Sequence, residues 1–188
     1  RSLPAPAQGE KLISFGLSEK FAGSDAASLH ARAVRDGDHW VLNGEKKWNT
    51  NGGAADIYTV FAVSDPNSKS RRISAFIVEK GTPGFRIGKV EDKMGIRGSD
   101  THSLMFTDEK NPKSNRIGEE GFGFSFAMTT LNGGRVGIAA QALGISSGAY
   151  ELALKYAKER KAFGKALSEH QAIQFKLSDM AVKVDAAK

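Results

Sequence analysis

The stretch best suited to chemistry is Trp48-Asn49-Thr50-Asn51-Gly52-Gly53. A large aromatic plate beside a hydroxyl can stack on a flat ring while bonding one of its nitrogens. The same residues also fit a core tryptophan followed by an Asn-Gly turn. A second stretch, Leu17-Ser18-Glu19-Lys20-Phe21-Ala22-Gly23-Ser24-Asp25, reads as a strand end running into a loop of small residues. Backbone N–H groups and hydroxyls in such a loop bind carbonyls or phosphates. A turn capped locally by Asp or Ser accounts for it equally well.

The elements that must position these residues are first strands, then helices. Up to about residue 115 the pattern is β. Asp36-Gly37 between two extended runs predicts a hairpin, because glycine accepts positive φ. Trp40 to Lys46 reads as a strand leading to Trp48, and Tyr58 to Val63 and Ile73 to Val78 as short apolar strands around the turn cluster Asp65-Pro66-Asn67-Ser68. Phe85 to Val90 alternates, with Phe85 and Ile87 facing inward and Val90 a candidate to join them. Leu104-Met105-Phe106 forms a further strand, closed by Asn111-Pro112. Many short strands separated by turns predict a barrel or sandwich rather than a parallel sheet.

After Gly118-Glu119-Glu120-Gly121 the period changes, and Glu119 and Glu120 read as charges at a helix N-terminus. Ile145, Ala149, Leu152, Ala153, Tyr156 and Ala157 fall on one helical face, with Gly133-Gly134 as a break or close approach just before them. Ile173, Leu177, Met180, Ala181 and Val184 mark a second helix, with Ser168 to Gln171 as a capping box at its start. The fold class is therefore α+β: an antiparallel β-barrel or sandwich over residues 1–118, then the first helices of an incomplete helical bundle over residues 119–188. Two helices leave a bundle unfinished, so the chain reads as part of a longer protein. Arg1 to Gln8, with Pro4 and Pro6, reads as a loose lead-in.

Composition narrows the function classes. The 188 residues include no cysteine, which excludes disulfides, thiolate metal sites and cysteine nucleophiles. His30, His39, His102 and His170 show no metal-ligand spacing, so no metal is expected. A formal charge of +6 favours anionic partners. The basic residues are dispersed, which argues against a nucleic-acid module, and no apolar run approaches the ~20 residues of a membrane span.

With the two stretches above, three more complete an ordered series: Glu91-Asp92-Lys93-Met94-Gly95-Ile96-Arg97-Gly98-Ser99-Asp100-Thr101, then Gly133-Gly134-Arg135, then Arg160-Lys161-Ala162-Phe163-Gly164 with His170-Gln171 after it. From about Leu12 to Lys188 the chain resembles the acyl-CoA dehydrogenase family, most closely its short-chain, butyryl-CoA branch. The resemblance implies an FAD-dependent enzyme that removes the α-proton of an acyl-CoA thioester and passes the β-hydride to flavin N5, giving the trans-2-enoyl-CoA. It implies that Phe15, Leu17 and Ser18 line the flavin, that Trp48 lies against the isoalloxazine and that Thr50 bonds near N5. Ser24 and Arg135 would contact the CoA moiety. Arg160, Phe163 and Gln171 would reach the FAD of a neighbouring subunit, where the Arg fork suits pyrophosphate oxygens. A solvated helix end explains Arg160 and Lys161 as well, and a surface charge explains Arg135. The implied partners are acyl-CoA, an electron-transfer flavoprotein and further copies of the chain as a dimer of dimers. The implied compartment is bacterial cytoplasm or mitochondrial matrix. An acyl-CoA oxidase-like flavoprotein is the alternative within the same fold, and a basic nucleic-acid-binding module the alternative outside it.

The family's usual base glutamate has no counterpart in these residues, and the alternative base position carries Gly134, so the isolated chain is expected to lack dehydrogenase activity. Four further positions depart from the family pattern. Lys20-Phe21 replaces Pro-Gly, Asn49 replaces an apolar residue, and Asn132 replaces an Asp near the CoA. A buried Asn49 needs hydrogen-bond partners or costs about 1–3 kcal/mol.

Overall fold

The computed structural model describes residues 4–188. They divide into two compact units, up to Thr129 and from Thr130 to Lys188. The first opens on a single helical turn, α1 (Pro4–Ala7), where the sequence suggests a loose lead-in; residues 1–3 of that lead-in lie outside the described residues.

Eight strands follow: β1 (Ile13–Gly16), β2 (Arg32–Asp36), β3 (His39–Thr50), β4 (Ile57–Val63), β5 (Ile73–Glu79), β6 (Phe85–Val90), β7 (Thr101–Pro112) and β8 (Arg116–Ile117). They form one sheet in the order β6-β7-β3-β2-β4-β5-β8, with β1 paired to β4. Pairing is antiparallel except for β1–β4 and the single β2–β4 bridge. The β2–β3 hairpin turns at Gly37, with φ +56, as its Asp-Gly signal predicts. The sheet curls far enough for Asn111 Nδ2 on β7 to donate to Ile77 O on β5 at 2.9 Å. Its inner face holds Trp40, Leu42, Tyr58, Val60, Phe76, Val78, Phe85, Leu104 and Phe106. Trp40 meets Phe76 edge-on at 5.5 Å, and Phe85 stacks on Phe106 at 5.1 Å.

Val90 does not join this core. A register shift between Ile87 and Val90 breaks the alternation, and Val90 ends 57% exposed. Glu119 and Glu120 precede the next helix rather than capping it, paired with Arg71 at 2.6 Å and Arg116 at 3.8 Å.

That helix, α2 (Gly123–Glu159), starts in the first unit, where Phe126 packs 5.8 Å from Phe61, and runs unbroken into the second. Gly133 and Gly134 lie inside it and mark neither a break nor a close approach; a Cβ on either would meet nothing within 4 Å. The second unit continues with a small hairpin, β9 (Lys161–Ala162) and β10 (Lys165–Ala166), and then α3 (Gln171–Ala187). The covered residues of α2 here are Leu143, Ser147, Gly148, Tyr150, Ala153, Leu154 and Ala157; of the expected inner face Ala153 and Ala157 hold, whereas Ile145, Ala149, Leu152 and Tyr156 are exposed. The helix carries apolar residues on two sides, and periodicity alone does not choose between them. For α3 the expected face holds: Ile173, Leu177, Met180, Ala181 and Val184 are its covered residues. The capping box does not form. Ser168 sits in a 3-10 turn, and His170 is the N-cap residue, its carbonyl accepting from Ile173 and Gln174. Among the described residues no helix is long and apolar enough to cross a membrane.

Candidate flavin and acyl-CoA site

In the first unit, the two stretches with chemical potential run side by side. Lys47 N donates to Ser18 O at 2.9 Å, and Ser14 Oγ donates to Thr50 O at 2.7 Å. These bonds bring Phe15, Leu17 and Ser18 beside Trp48 and Thr50. Leu17 is buried, Ser18 and Phe15 are half-buried, and Phe15 rests on Phe61 at 4.9 Å.

The β3–β7 register shifts between Lys46 and Asn49, and Trp48 in that interval has φ +57. A bulky residue in the left-handed region costs on the order of 1–3 kcal/mol, and a bulge is the usual device for re-aiming a side chain. The result is an indole 54% exposed between the buried Lys46 and Asn49. The same shift explains why Lys46 and Asn49, three apart, both point inward.

Lys46 is wholly buried. Its Nζ donates to Leu17 O at 3.1 Å and to Glu19 Oε1 at 2.7 Å. Glu19 also accepts from His30 N at 2.7 Å and Ala31 N at 3.0 Å. Burial pulls the Lys46 ammonium down to about 8, with Glu19 opposing. Burial pushes Glu19 upward, but the Lys46 charge and the two backbone donors more than offset this and leave it below its usual value. This pair locks the Leu17–Glu19 strand end onto β3. Beyond it the chain turns tightly at Lys20-Phe21, between the bridged residues Glu19 and Ala22, and Ser24 follows on the exposed side. The departure from Pro-Gly is thus accommodated in a two-residue turn with Lys20 Nζ over the Phe21 ring at 5.1 Å.

Asn49 meets half of its requirement: Nδ2 donates to His102 O at 2.9 Å, while Oδ1 has no partner among the described residues. The turn after Thr50 is held by Asp100 and His102. A Cβ at Gly52 would lie 2.7 Å from His102 Cβ and 2.9 Å from Asn49 O. Gly52→Ala is therefore expected to destabilise the fold by about 1–3 kcal/mol, read as a lower thermal midpoint.

In the second unit, Arg160, Phe163 and Gln171 come together around the hairpin. Leu167 N donates to Arg160 O at 2.8 Å, closing the loop. Phe163 and Gly164, at φ +52 and +77, form its tip, with Phe163 98% exposed. His170, just before Gln171, lies edge-on to Phe163 at 6.2 Å, and its Nε2 is 3.1 Å from Ala162 O. Arg135 stands apart from this group. It lies 25 residues earlier on α2, about 38 Å along the axis, where it donates to Asn132 Oδ1 at 2.7 Å. Arg135, expected near the CoA, and Asn132 thus share one exposed turn of the helix.

Residues 14–109 match the acyl-CoA dehydrogenase middle domain, and residues 121–188 match the acyl-CoA dehydrogenase C-terminal domain. The chain belongs to the acyl-CoA dehydrogenase family. It is 50% identical over 182 residues to the short-chain specific acyl-CoA dehydrogenase of Clostridium acetobutylicum, covering 97% of this chain and 48% of that one. The butyryl-CoA dehydrogenase structure from Megasphaera elsdenii superposes with a TM-score of 0.91 at 51% identity, over 97% of this chain and 48% of that one. A chain solved in work on the electron transferring flavoprotein of Acidaminococcus fermentans gives 0.92 at 52% identity, over 98% and 49%. The chain thus spans about half the length of the curated relatives it matches. The β unit and the long helix are features it shares with these dehydrogenases.

Sequence reading of the family motifs missed the Lys46–Glu19 lock and the Asp100–His102 support. Glu19 and Asp100 stand inside quoted motifs, but their partners are fixed only by strand register.

Proposed function

We propose that this chain is the FAD-holding part of a short-chain acyl-CoA dehydrogenase that oxidises an acyl-CoA thioester to its trans-2-enoyl product. The observation that carries the reading is the joining of the Leu17–Ser18 and Trp48–Thr50 segments, with the indole lifted out of the sheet by a bulge. An exposed indole kept in a strained conformation, flanked by the accessible Ser18 and Thr50 hydroxyls, fits a flat heteroaromatic ring with polar edges. Bound there, FAD would supply the acceptor for the hydride that leaves the acyl β-carbon.

The residues divide the task of holding it. Phe15 and Leu17 give the ring an apolar wall, Ser18 bonds the pyrimidine side, Trp48 covers a face and Thr50 bonds near N5. Arg160, Phe163 and Gln171 serve the pyrophosphate and adenosine of an FAD in a neighbouring copy, which makes a homo-oligomer, a dimer of dimers, the working form. Ser24 and Arg135 serve the CoA moiety. The α-proton goes to a base supplied from outside these residues. Glu19, the carboxylate nearest Ser18, is committed to Lys46 and two backbone N–H groups. Electrons leave to an electron-transfer flavoprotein, as the neighbour solved in that context suggests. The setting is bacterial cytoplasm or mitochondrial matrix.

Parallel titrations with FAD and riboflavin test the division. Trp48→Ala is expected to weaken both ligands by roughly tenfold or more, whereas Arg160→Ala weakens FAD alone. Equal affinity for FAD in Trp48→Ala and the unaltered chain contradicts the ring assignment.

A further inference from the structure

The segment that carries Trp48 and Thr50 is tied at almost every residue to three residues of another segment, Asp100 to His102. Asn49 Nδ2 donates to His102 O at 2.9 Å, and Asn51 N donates to Asp100 O at 2.8 Å. Thr50 pairs with Thr101 in the β3–β7 ladder. The Asp100 carboxylate then takes the next two backbone donors, Gly53 N at 2.6 Å and Ala54 N at 3.0 Å, both on Oδ2. Its other oxygen faces His102 Nε2 at 2.8 Å, and His102 Nδ1 faces Gly88 O at 3.1 Å. Both imidazole nitrogens thus address acceptor oxygens, one on the Asp100 carboxylate and one on the Gly88 carbonyl. The approach is close enough that a Cβ at Gly53 would lie 2.7 Å from His102 Nε2 and 3.0 Å from Asp100 Oδ2.

We propose that Asp100 and His102 are positioning residues for the flavin: a charge-assisted clamp that holds the Trp48–Ala54 segment so that indole and Thr50 hydroxyl meet the ring together. This rests on the flavin reading above. The physical need is specific. Trp48 sits in a left-handed conformation that the chain leaves unless the residues after it are fixed. Two of the bonds that fix them, from Gly53 N and Ala54 N, converge on one carboxylate whose second oxygen faces one imidazole, while Tyr58 Oη donates to Gly52 O and Lys80 Nζ to Gly53 O. The Asp100 carboxylate bonds the backbone of the turn, and His102 bonds that carboxylate; among the described residues neither bonds the Trp48 side chain. Their effect on a ligand runs through the turn, by keeping the binding conformation populated in the free protein, which removes an ordering cost from binding.

Asp100→Ala and His102→Gln in the full chain test the clamp by two measurements on each protein: amide hydrogen exchange without ligand, and FAD titration followed by the visible spectrum of the bound flavin. In Asp100→Ala, exchange at Gly53 and Ala54 should accelerate roughly tenfold or more while β4 and β5 keep their protection. FAD affinity should fall by roughly tenfold with a shifted flavin band. His102→Gln, the milder variant in case Asp100→Ala does not fold, should move the same readouts in the same direction by less. Unchanged exchange, or faster exchange with unaltered flavin affinity and spectrum, overturns the clamp. A loss of protection spread evenly over β4 and β5 also overturns it, since that marks a general structural role. An unaltered chain that binds no FAD overturns the flavin reading, and the flavin role of the clamp with it. The exchange data then decide separately whether Asp100 holds the turn.

Discussion

Lys46→Ala is expected to destabilise the β unit by about 3–5 kcal/mol, the cost of leaving a buried carboxylate without its counter-ion. The estimate follows from burial: Lys46 is 0% exposed and Glu19 5%. Removing the ammonium leaves Glu19 with two backbone donors and no compensating charge, and frees Leu17 O as well. At 2–4 °C per kcal/mol for a chain of this size, the thermal midpoint should fall by roughly 6–20 °C. Glu19→Gln in the same background should recover part of the loss, because it neutralises the stranded charge while keeping an acceptor for His30 or Ala31. A double variant as unstable as the sum of the two single variants contradicts the coupling. The direction with pH also follows. Glu19 lies below its usual value, so its contribution is complete above about pH 4.5 and is lost as pH falls through its folded value. The consequence reaches function, because the same lysine fixes Leu17 and the strand end that carries Ser18.

Glu109→Gln is expected to stabilise the chain at pH 8 by up to about 3 kcal/mol and to leave it nearly unchanged at pH 4.5. Glu109 is fully buried in the inner face of β7, and burial pushes its carboxyl up to about 7, with the Asn111 amide opposing at 3.2 Å. The unfolded chain releases that proton near pH 4.5, so between about 4.5 and 7 the folded state holds a proton the unfolded state has lost. Stability from this group therefore falls as pH rises across that window and is level above it. Glutamine keeps the shape and removes the titration. Its amide can also donate toward Asn111 Oδ1, which, like Glu109 Oε2 and Trp40 Nε1, has no partner among the described residues. Denaturant unfolding of both proteins at pH 4.5, 6 and 8 gives the difference directly. A difference that does not grow with pH contradicts a carboxyl titrating in this core.

What the sequence made legible was what depends on neighbours in the chain. The Gly37 turn, the strand around Tyr58 to Val63 and the covered face of α3 rest on local turn chemistry and short periodicities. Where a bulge intervened, alternation misled: Val90 turned outward, and Lys46 turned inward on a strand it was expected to end. The inner face of α2 was only partly found, Ala153 and Ala157 but not Ile145, Leu152 and Tyr156, because the exposed residues have the same period as the covered ones. Gly133-Gly134 continued the helix, since glycine lowers helix propensity by only about 1 kcal/mol and 37 residues absorb it. In the site, the motifs located Trp48, Thr50 and Ser18, but the supports behind them join residues 27 and 47 positions apart. No periodicity reports such pairs. They exist because β7 lies beside β3 and because the chain after β1 comes against β3, and both are properties of the whole sheet.

The most direct test of the flavin reading is the visible spectrum of the chain after incubation with FAD and removal of free ligand by gel filtration. A protein-bound flavin band that elutes with an oligomer is expected, since Arg160, Phe163 and Gln171 are assigned to a neighbouring copy's cofactor. A folded chain that elutes colourless contradicts it.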